Sequence, residues 1–168
     1  MKAMSDDKNQ DGIRFGETAW IRPLDEKDFS AHTALIEATQ WRYLREDLGK
    51  TGGRALEVGC GSGHFGALLA QVGFDTVLLD YSPAALECAK NSYVTLGGRE
   101  RKSYVQGDAR SLPFSGGSFD VVVSCGVLEH FEALAPVIQE MARVLRPGGF
   151  FYADIVPRKF SRKAGGSR

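Results

Sequence analysis

The stretch Arg54-Ala-Leu-Glu-Val-Gly-Cys-Gly-Ser-Gly63 decides the fold. Its first half is a short apolar run that predicts a buried strand, and its second half is a glycine-rich turn. The residues that follow, Phe65 to Val72, have helical spacing, and Gly73 ends the predicted helix. A strand, a glycine turn and a helix in this order form the opening unit of a layered α/β fold.

The same alternation extends in both directions along the chain. An amphipathic helix is predicted from Ser30 to about Leu48, before the first strand. Further elements are predicted after it: strands at 76–80, 103–106, 119–124 and 150–156, and helices from the Ser82 cap to about Tyr93 and from Ala133 to Leu145. Continuously apolar strands indicate a sheet that is covered on both faces. The sequence therefore predicts a three-layer α/β/α, Rossmann-like fold with a mainly parallel sheet.

Composition narrows the class of protein. The chain has 168 residues, enough for one domain with a single core, and 43% of them are hydrophobic. Lys plus Arg and Asp plus Glu number 21 each, so no bulk charge attracts nucleic acid or an anionic membrane. No apolar run approaches the length of a membrane span. We expect neither a nucleic-acid nor a membrane partner.

The remaining features suggest a cytoplasmic protein. The polar N-terminus lacks the pattern of a signal peptide or anchor. Cys60, Cys88 and Cys125 are few, widely spaced and odd in number, which argues against disulfides or zinc and indicates a reducing compartment. The predicted organisation is a disordered leader at 1–12, an N-terminal helical or lid segment at 13–53, the core at 54–157 and a basic, flexible tail at 158–168.

Two carboxylates stand where predicted strands end. Asp80 follows the second strand, about 20 residues after the glycine turn, where a carboxylate can accept both hydroxyls of a ribose. Asp108 follows the third strand and can accept a hydrogen bond from an exocyclic amine such as that of adenine. For either residue alone, a solvated loop carboxylate is the better interpretation. Their joint placement predicts a nucleoside site.

The glycine turn itself admits two ligands. Gly61-Ser-Gly-His-Phe-Gly66 satisfies the dinucleotide pattern GxGxxG, which would imply NAD and a nicotinamide-dependent oxidoreductase. Glu57, however, lies two residues before Gly59, the first glycine of the turn. A carboxylate there repels a pyrophosphate and attracts a cationic ligand with an amino group and a sulfonium. Glu57 therefore favours S-adenosylmethionine.

Longer sequence motifs of this chain resemble those of a known enzyme family. Glu57-Val-Gly-Cys-Gly-Ser-Gly63 resembles motif I of class I S-adenosylmethionine-dependent methyltransferases, and Gly107-Asp-Ala109 resembles their adenine motif. Ser124-Cys-Gly-Val-Leu-Glu-His130 and Arg143-Val-Leu-Arg-Pro-Gly-Gly149 are similar to later motifs of the branch that includes the ubiquinone and menaquinone biosynthesis enzymes. The motifs occur in family order from about Arg54 to Val156.

The resemblance implies a set of cofactor-binding residues. The turn would face the methionine part with Glu57 organising it, and Asp80 would hold the ribose. Tyr81 would pack on the adenine face, Asp108 and Ala109 would bind the adenine edge, and Cys125 would border the reacting methyl. The complete cofactor set is Glu57, Gly59, Cys60, Gly61, Gly63, Asp80, Tyr81, Asp108, Ala109 and Cys125.

Other side chains have competing interpretations. His130 is the candidate catalytic base for a hydroxyl or amine acceptor, but it could equally cap the next segment. Cys125 has no basic neighbour in sequence, so a wall residue is the better interpretation than a nucleophile. Phe15 and Trp20 belong either to a lid or to the anchor of the N-terminal helix. No carboxylate cluster suggests a metal, so none is expected.

Three functions follow from this reading. The first is methyl transfer from S-adenosylmethionine to a small-molecule acceptor, since the motifs of base and amide methyltransferases are absent. The second is a catalytically silent, cofactor-binding partner or regulatory module, because the C-terminal β-hairpin usual in this class is missing from the sequence. A homo-oligomer that covers the exposed sheet edge is one explanation of that shortness. The third is the oxidoreductase.

Overall fold

The structure is a computed structural model that describes residues 31–49, 52–97 and 102–155. Four predictions from the sequence lie outside them: the leader at 1–12, the Ser30 cap, the placement of Phe15 and Trp20, and the tail at 158–168. Within the described residues the elements are α1 (Ala31–Asp47), β1 (Gly53–Val58), α2 (His64–Gln71), β2 (Phe74–Asp80), α3 (Pro83–Tyr93), β3 (Lys102–Gln106), β4 (Phe119–Ser124), a 3₁₀ helix (Leu128–His130), α4 (Leu134–Val144) and β5 (Leu145–Ala153).

The five described strands form one sheet in the order β3-β2-β1-β4-β5, and every neighbouring pair is parallel. From β1 the chain moves outward to β2 and β3, and it then crosses back to β4 and β5. The direction of winding therefore reverses between β1 and β4. This confirms the Rossmann-like α/β prediction, and in such folds the carboxyl ends at the reversal form the ligand crevice.

Successive strand residues point to opposite faces of the sheet and pack into two apolar layers, one on each face. Leu56 and Val122 pack on one face of the sheet with Met141 of α4. Ala55 and Val121 point to the other face, together with residues of α1 and α2. Nearly all of these strand residues are fully buried, because helices cover both faces. This two-sided burial explains why the strands are continuously apolar in sequence.

Helix α1 belongs to this core. Leu44 is completely buried among Phe65 and Leu69 of α2 and residues of β1 and β4. No helix among the described residues has the length and hydropathy of a membrane span.

The fifth strand differs from its prediction. The sequence Arg146-Pro-Gly-Gly149 predicts a turn before a strand at 150–156, but β5 already begins at Leu145. Phe119 of β4 pairs with Leu145 and Val121 pairs with Phe150, so the four intervening residues bulge out of the ladder. Gly148, with φ at 73°, supplies the turn inside this bulge. The predicted turn is therefore present, but it lies within the strand instead of preceding it.

Candidate active site

The glycine turn lies at the carboxyl end of β1 and folds back on β2. The N–H groups of Gly59 and Cys60 both donate to the carbonyl oxygen of Leu79, at 2.8 and 3.0 Å. Gly59 has a φ of 69°, and a Cβ at this position would come within 2.2 Å of a methyl group of Val127. Glycine is therefore required here both for the backbone conformation and for the close approach of the loop after β4.

Asp80 connects the turn to the end of β2. Its Oδ2 accepts a hydrogen bond from the N–H of Gly61 at 3.0 Å, and its Oδ1 accepts from the N–H of Ser82 at 2.9 Å. Burial raises the pKa of this carboxyl, while the N–H donors oppose the rise. Each oxygen keeps a second lone pair for a ligand hydroxyl. Tyr81, the next residue, is 46% exposed beside it.

Glu57 is buried under the first turn of α2. Its Oε2 accepts a hydrogen bond from the N–H of Gly66 at 2.8 Å, and only 5% of the residue is exposed. Burial raises the pKa of the carboxyl to about 8, against the lowering effect of the Gly66 and Phe65 N–H groups. A dinucleotide-binding turn offers the free N–H groups of this helix end to a pyrophosphate. Here Glu57 already occupies one of them, which disfavours NAD.

Asp108 is engaged by a neighbouring cation. The Arg110 side chain donates to both of its oxygens, with Nη2 2.6 Å from Oδ2 and Nε 3.0 Å from each oxygen. These bonds lower the pKa of the Asp108 carboxyl, so it is ionised at neutral pH. Ala109 beside it is buried. The predicted adenine motif thus presents a carboxylate that is held in a fixed orientation.

Cys125 lies at the end of β4, packed against the apolar cluster of β1, β4 and α1. Burial raises the pKa of its thiol, and the negative charges of Asp154 and Glu57 raise it further. The thiol is therefore protonated and unsuited to nucleophilic attack. Its surroundings match a wall residue in a region of negative charge.

The 3₁₀ helix after β4 carries His130 and Glu129. His130 is exposed, and its backbone N–H donates to the carbonyl oxygen of Val127 at 3.1 Å. Glu129 is partly buried, and its Oε2 is inaccessible to solvent and has no hydrogen-bond partner among the residues that the structure describes. A buried acceptor without a donor lowers the stability of the free protein. The same oxygen is available to accept a hydrogen bond from a ligand N–H or O–H. Sequence reasoning did not single out Glu129.

Two more residues of the site were also missed from sequence. Asp154 follows β5, and its Oδ1 accepts a hydrogen bond from the N–H of Gly126 at 2.6 Å. Its other oxygen accepts from the side-chain amide of Gln40 on α1. Asp154 is a carboxylate at a strand end, so the rule that found Asp80 and Asp108 would have found it. Gln40 has no such signal, because only the folded chain brings α1 to this edge.

Comparison with known proteins assigns the family. Residues 56–153, more than half of the chain, match the family described as "Methyltransferase domain". The chain belongs to this family and is a class I, S-adenosylmethionine-dependent methyltransferase domain.

Individual relatives agree with the family assignment. The chain is 38% identical over 137 residues to methyltransferase GfsG of Streptomyces halstedii, covering 78% of this chain and 49% of that protein. It is 37% identical to a probable phthiotriol/phenolphthiotriol dimycocerosates methyltransferase of Mycobacterium ulcerans, covering 64% of this chain and 41% of that one. The chain thus spans half or less of these relatives' length.

Solved structures share the fold. A putative S-adenosylmethionine-dependent methyltransferase from Methanococcus maripaludis superposes with a TM-score of 0.67 at 23% identity, over 91% of this chain and 66% of that one. At that identity the likeness is one of fold.

The residues present suit the family's cofactor. Glu57, Asp80 and Asp108 stand at three successive strand ends around the glycine turn. Their carboxyl oxygens accept hydrogen bonds from the hydroxyl and amino groups of a ligand. At Gly59 the turn approaches its neighbours so closely that a Cβ has no room. The oxidoreductase interpretation gains no support from the site or from the family.

Proposed function

We propose that this domain transfers a methyl group from S-adenosylmethionine to a small-molecule acceptor. The observation that carries the proposal is the position of Glu57, which occupies the Gly66 N–H at the helix end where a pyrophosphate would otherwise bind. The glycine turn is therefore left to a ligand without phosphate. The cofactor supplies an electrophilic methyl group on a positively charged sulfur.

The nucleoside half of the cofactor has four proposed partners. Asp80 accepts the ribose hydroxyls with the lone pairs that Gly61 and Ser82 leave free. Tyr81 covers the adenine face with its exposed ring. Asp108 and the backbone of Ala109 bind the adenine edge. These roles are supported by the placement of all four residues at the ends of β2 and β3.

The methionine half is assigned to the turn 59–63 and the end of β4. The backbone of the turn contacts the methionine part in this scheme, through Gly59, Cys60, Gly61 and Gly63. Glu57 supports the turn from beneath α2. Cys125 borders the reacting methyl as a protonated wall residue. The negative charge of Asp154 near Cys125 favours a bound sulfonium and ammonium over a neutral ligand, and a bound cation would in turn favour the ionised form of Glu57.

Catalysis in this scheme rests mainly on positioning. Displacement at a sulfonium disperses charge, so the protein's task is to align the acceptor atom with carbon and sulfur and to keep water out. His130 is the proposed base for an acceptor that loses a proton, and its exposure suits exchange of that proton with solvent. An acceptor that is already unprotonated needs no such base.

We propose the compartment of the domain from its cysteines and its assembly from the edge of its sheet. Cys60, Cys88 and Cys125 are all free thiols, which fits a reducing, cytoplasmic compartment. Among the described strands, β5 has β4 as its sole neighbour, and Phe151 on it is 38% exposed. A homo-oligomer that covers this edge is the corresponding assembly proposal.

Methyl transfer is tested with a cofactor labelled in its methyl group. The purified chain is incubated with the labelled cofactor and either an ultrafiltered small-molecule extract or the retained RNA and protein. We expect label in the small-molecule fraction with the native chain and none with Asp80→Ala. Label confined to the retained macromolecules would contradict the acceptor class, and label in neither would contradict the activity.

A further inference from the structure

The connection between β3 and β4, residues 107–118, carries the proposed adenine-binding residues. Its start is tied to β2, where the N–H of Gly107 donates to the carbonyl oxygen of Asp80 at 3.0 Å. A tight turn follows, in which the N–H of Ser111 donates to the carbonyl oxygen of Asp108 at 3.0 Å. Beyond Ser111 the loop has no regular ladder to hold it.

Two charged side chains of α4, Glu140 and Arg143, hold this part of the loop, and we call them the loop clamp. Glu140 Oε2 accepts from the N–H of Leu112 at 2.8 Å. Arg143 donates from Nη2 to the carbonyl oxygen of Leu112 at 3.0 Å and from Nη1 to that of Phe114 at 2.7 Å. The clamp therefore contacts both polar backbone groups of Leu112, next to the Asp108 turn, and the carbonyl oxygen also accepts from the N–H of Phe114 at 2.8 Å.

The two side chains of the loop clamp are also paired with each other. Arg143 donates to Glu140 through Nε and Nη2, both at 2.7 Å, in a two-pronged ion pair. The guanidinium lowers the pKa of Glu140 to about 2, so the pair stays charged at every pH at which the protein would be assayed. The apolar face of α4 is anchored in the core through Val137, Met141 and Val144, which are fully buried.

We propose that the loop clamp positions Asp108 to recognise the exocyclic amino group of adenine, which makes Glu140 and Arg143 positioning residues for cofactor selectivity. The inference rests on the proposed role of Asp108. The path is short, because the clamped Leu112 adjoins Ser111, whose N–H closes the Asp108 turn. Arg110 orients the Asp108 carboxylate within its own turn, and the clamp ties that turn to α4, so a shift at Leu112 moves the turn and the carboxylate together.

A positioning role and a merely structural role differ in one measurable quantity. Loosening a structural contact lowers stability but treats all ligands of the folded site alike. Loosening a positioning contact also reduces discrimination between adenine and a base that lacks the amino group. S-adenosylhomocysteine and its inosine analogue, in which oxygen replaces that group, provide the comparison.

The experiment is calorimetric titration of both ligands into the native chain, Glu140→Gln, Arg143→Lys and the control Glu87→Gln. The control removes an exposed carboxylate from another i,i+3 ion pair, with Lys90 on α3, away from the loop. We expect the native chain and the control to prefer the adenine ligand by roughly tenfold or more. We expect the clamp variants to retain a preference of only about two- to threefold.

Thermal melting confirms that each variant is folded, and the ratio of the two affinities is independent of the active fraction. Folded clamp variants that keep the native preference would overturn the positioning role while leaving the proposed function intact. A native chain that binds neither ligand would instead overturn the proposed function, and the clamp proposal with it.

Discussion

Glu57 Oε2 lies 2.8 Å from the backbone nitrogen of Gly66 and accepts its hydrogen bond under the first turn of α2. This contact reconciles two sequence features that seemed opposed. Gly66 completes a dinucleotide-like GxGxxG pattern, whereas Glu57 disfavours a phosphate. In the fold, the glycine at 66 makes room for the carboxylate, so the last glycine of the pattern serves the acid rather than a pyrophosphate.

Replacing Gly66 with alanine should destabilise the chain, although alanine usually stabilises a helix relative to glycine. A Cβ on Gly66 would lie 2.8 Å from Glu57 Oε2 and 3.2 Å from side-chain atoms of Leu78. We expect Gly66→Ala to lower the free energy of unfolding by about 1–3 kcal/mol, although helix propensity alone favours alanine by about 1 kcal/mol. Urea unfolding measures the change. Glu57→Asp in the same chain should reduce the loss, and strictly additive effects would contradict the contact.

The buried Glu57 carboxyl makes stability depend on pH. Its pKa is about 8 in the folded chain and near 4.5 otherwise, so between these values the folded state holds a proton that the unfolded state has lost. This group therefore lowers the free energy of unfolding as pH rises from about 4.5 to about 8. Glu57→Gln removes the effect and should gain stability relative to the native chain over that interval.

The comparison is made by urea unfolding at about pH 5 and about pH 8. The control is Glu87→Gln, which changes a glutamate whose side chain is 65% exposed. Its difference from the native chain should be nearly the same at both pH values. An equally flat difference for Glu57→Gln would show that Glu57 is ionised in the folded chain.

Alkylation of the thiols should follow burial. Burial raises the pKa of all three cysteines, most for Cys60, which is 4% exposed, and least for Cys88, which lies on the partly exposed side of α3. We expect iodoacetamide to modify Cys88 first, Cys125 more slowly and Cys60 only after unfolding. Mass spectrometry of the digested protein gives the order. Rapid modification of Cys125 would indicate a thiolate and revive the nucleophile interpretation.

Asp154 couples the loop after β4 to α1. Asp154→Ala leaves the Gly126 N–H and the Gln40 amide without their acceptor, which should cost about 1–3 kcal/mol of unfolding free energy and speed hydrogen exchange at Gly126. Asp154→Asn is the matched control, because its oxygen still accepts from Gly126 and the Gln40 amide can turn. Unchanged exchange at Gly126 in the alanine variant would contradict the assigned bond.

Local sequence patterns predicted the layers, the parallel sheet and the strand-end acids Asp80 and Asp108, because burial and turn chemistry act over a few residues. The bulge in β5 was not predictable, since it depends on the register between Phe119 and Leu145. The helix residues that hydrogen-bond to Glu57 and Asp154 were also not predictable from sequence. They lie on α2 and α1, and only tertiary packing brings these helices next to the two carboxyl groups.

The central claim is that the crevice binds the adenosyl cofactor through Asp80. The most direct test is calorimetric titration of the native chain with S-adenosylhomocysteine and with NAD, repeated on Asp80→Ala and on Asp75→Ala at the opposite end of the same strand. We predict saturable binding of S-adenosylhomocysteine, at least about tenfold weaker in Asp80→Ala, unchanged in Asp75→Ala, and none for NAD. Saturable NAD binding, or S-adenosylhomocysteine binding that is indifferent to Asp80, would contradict the account.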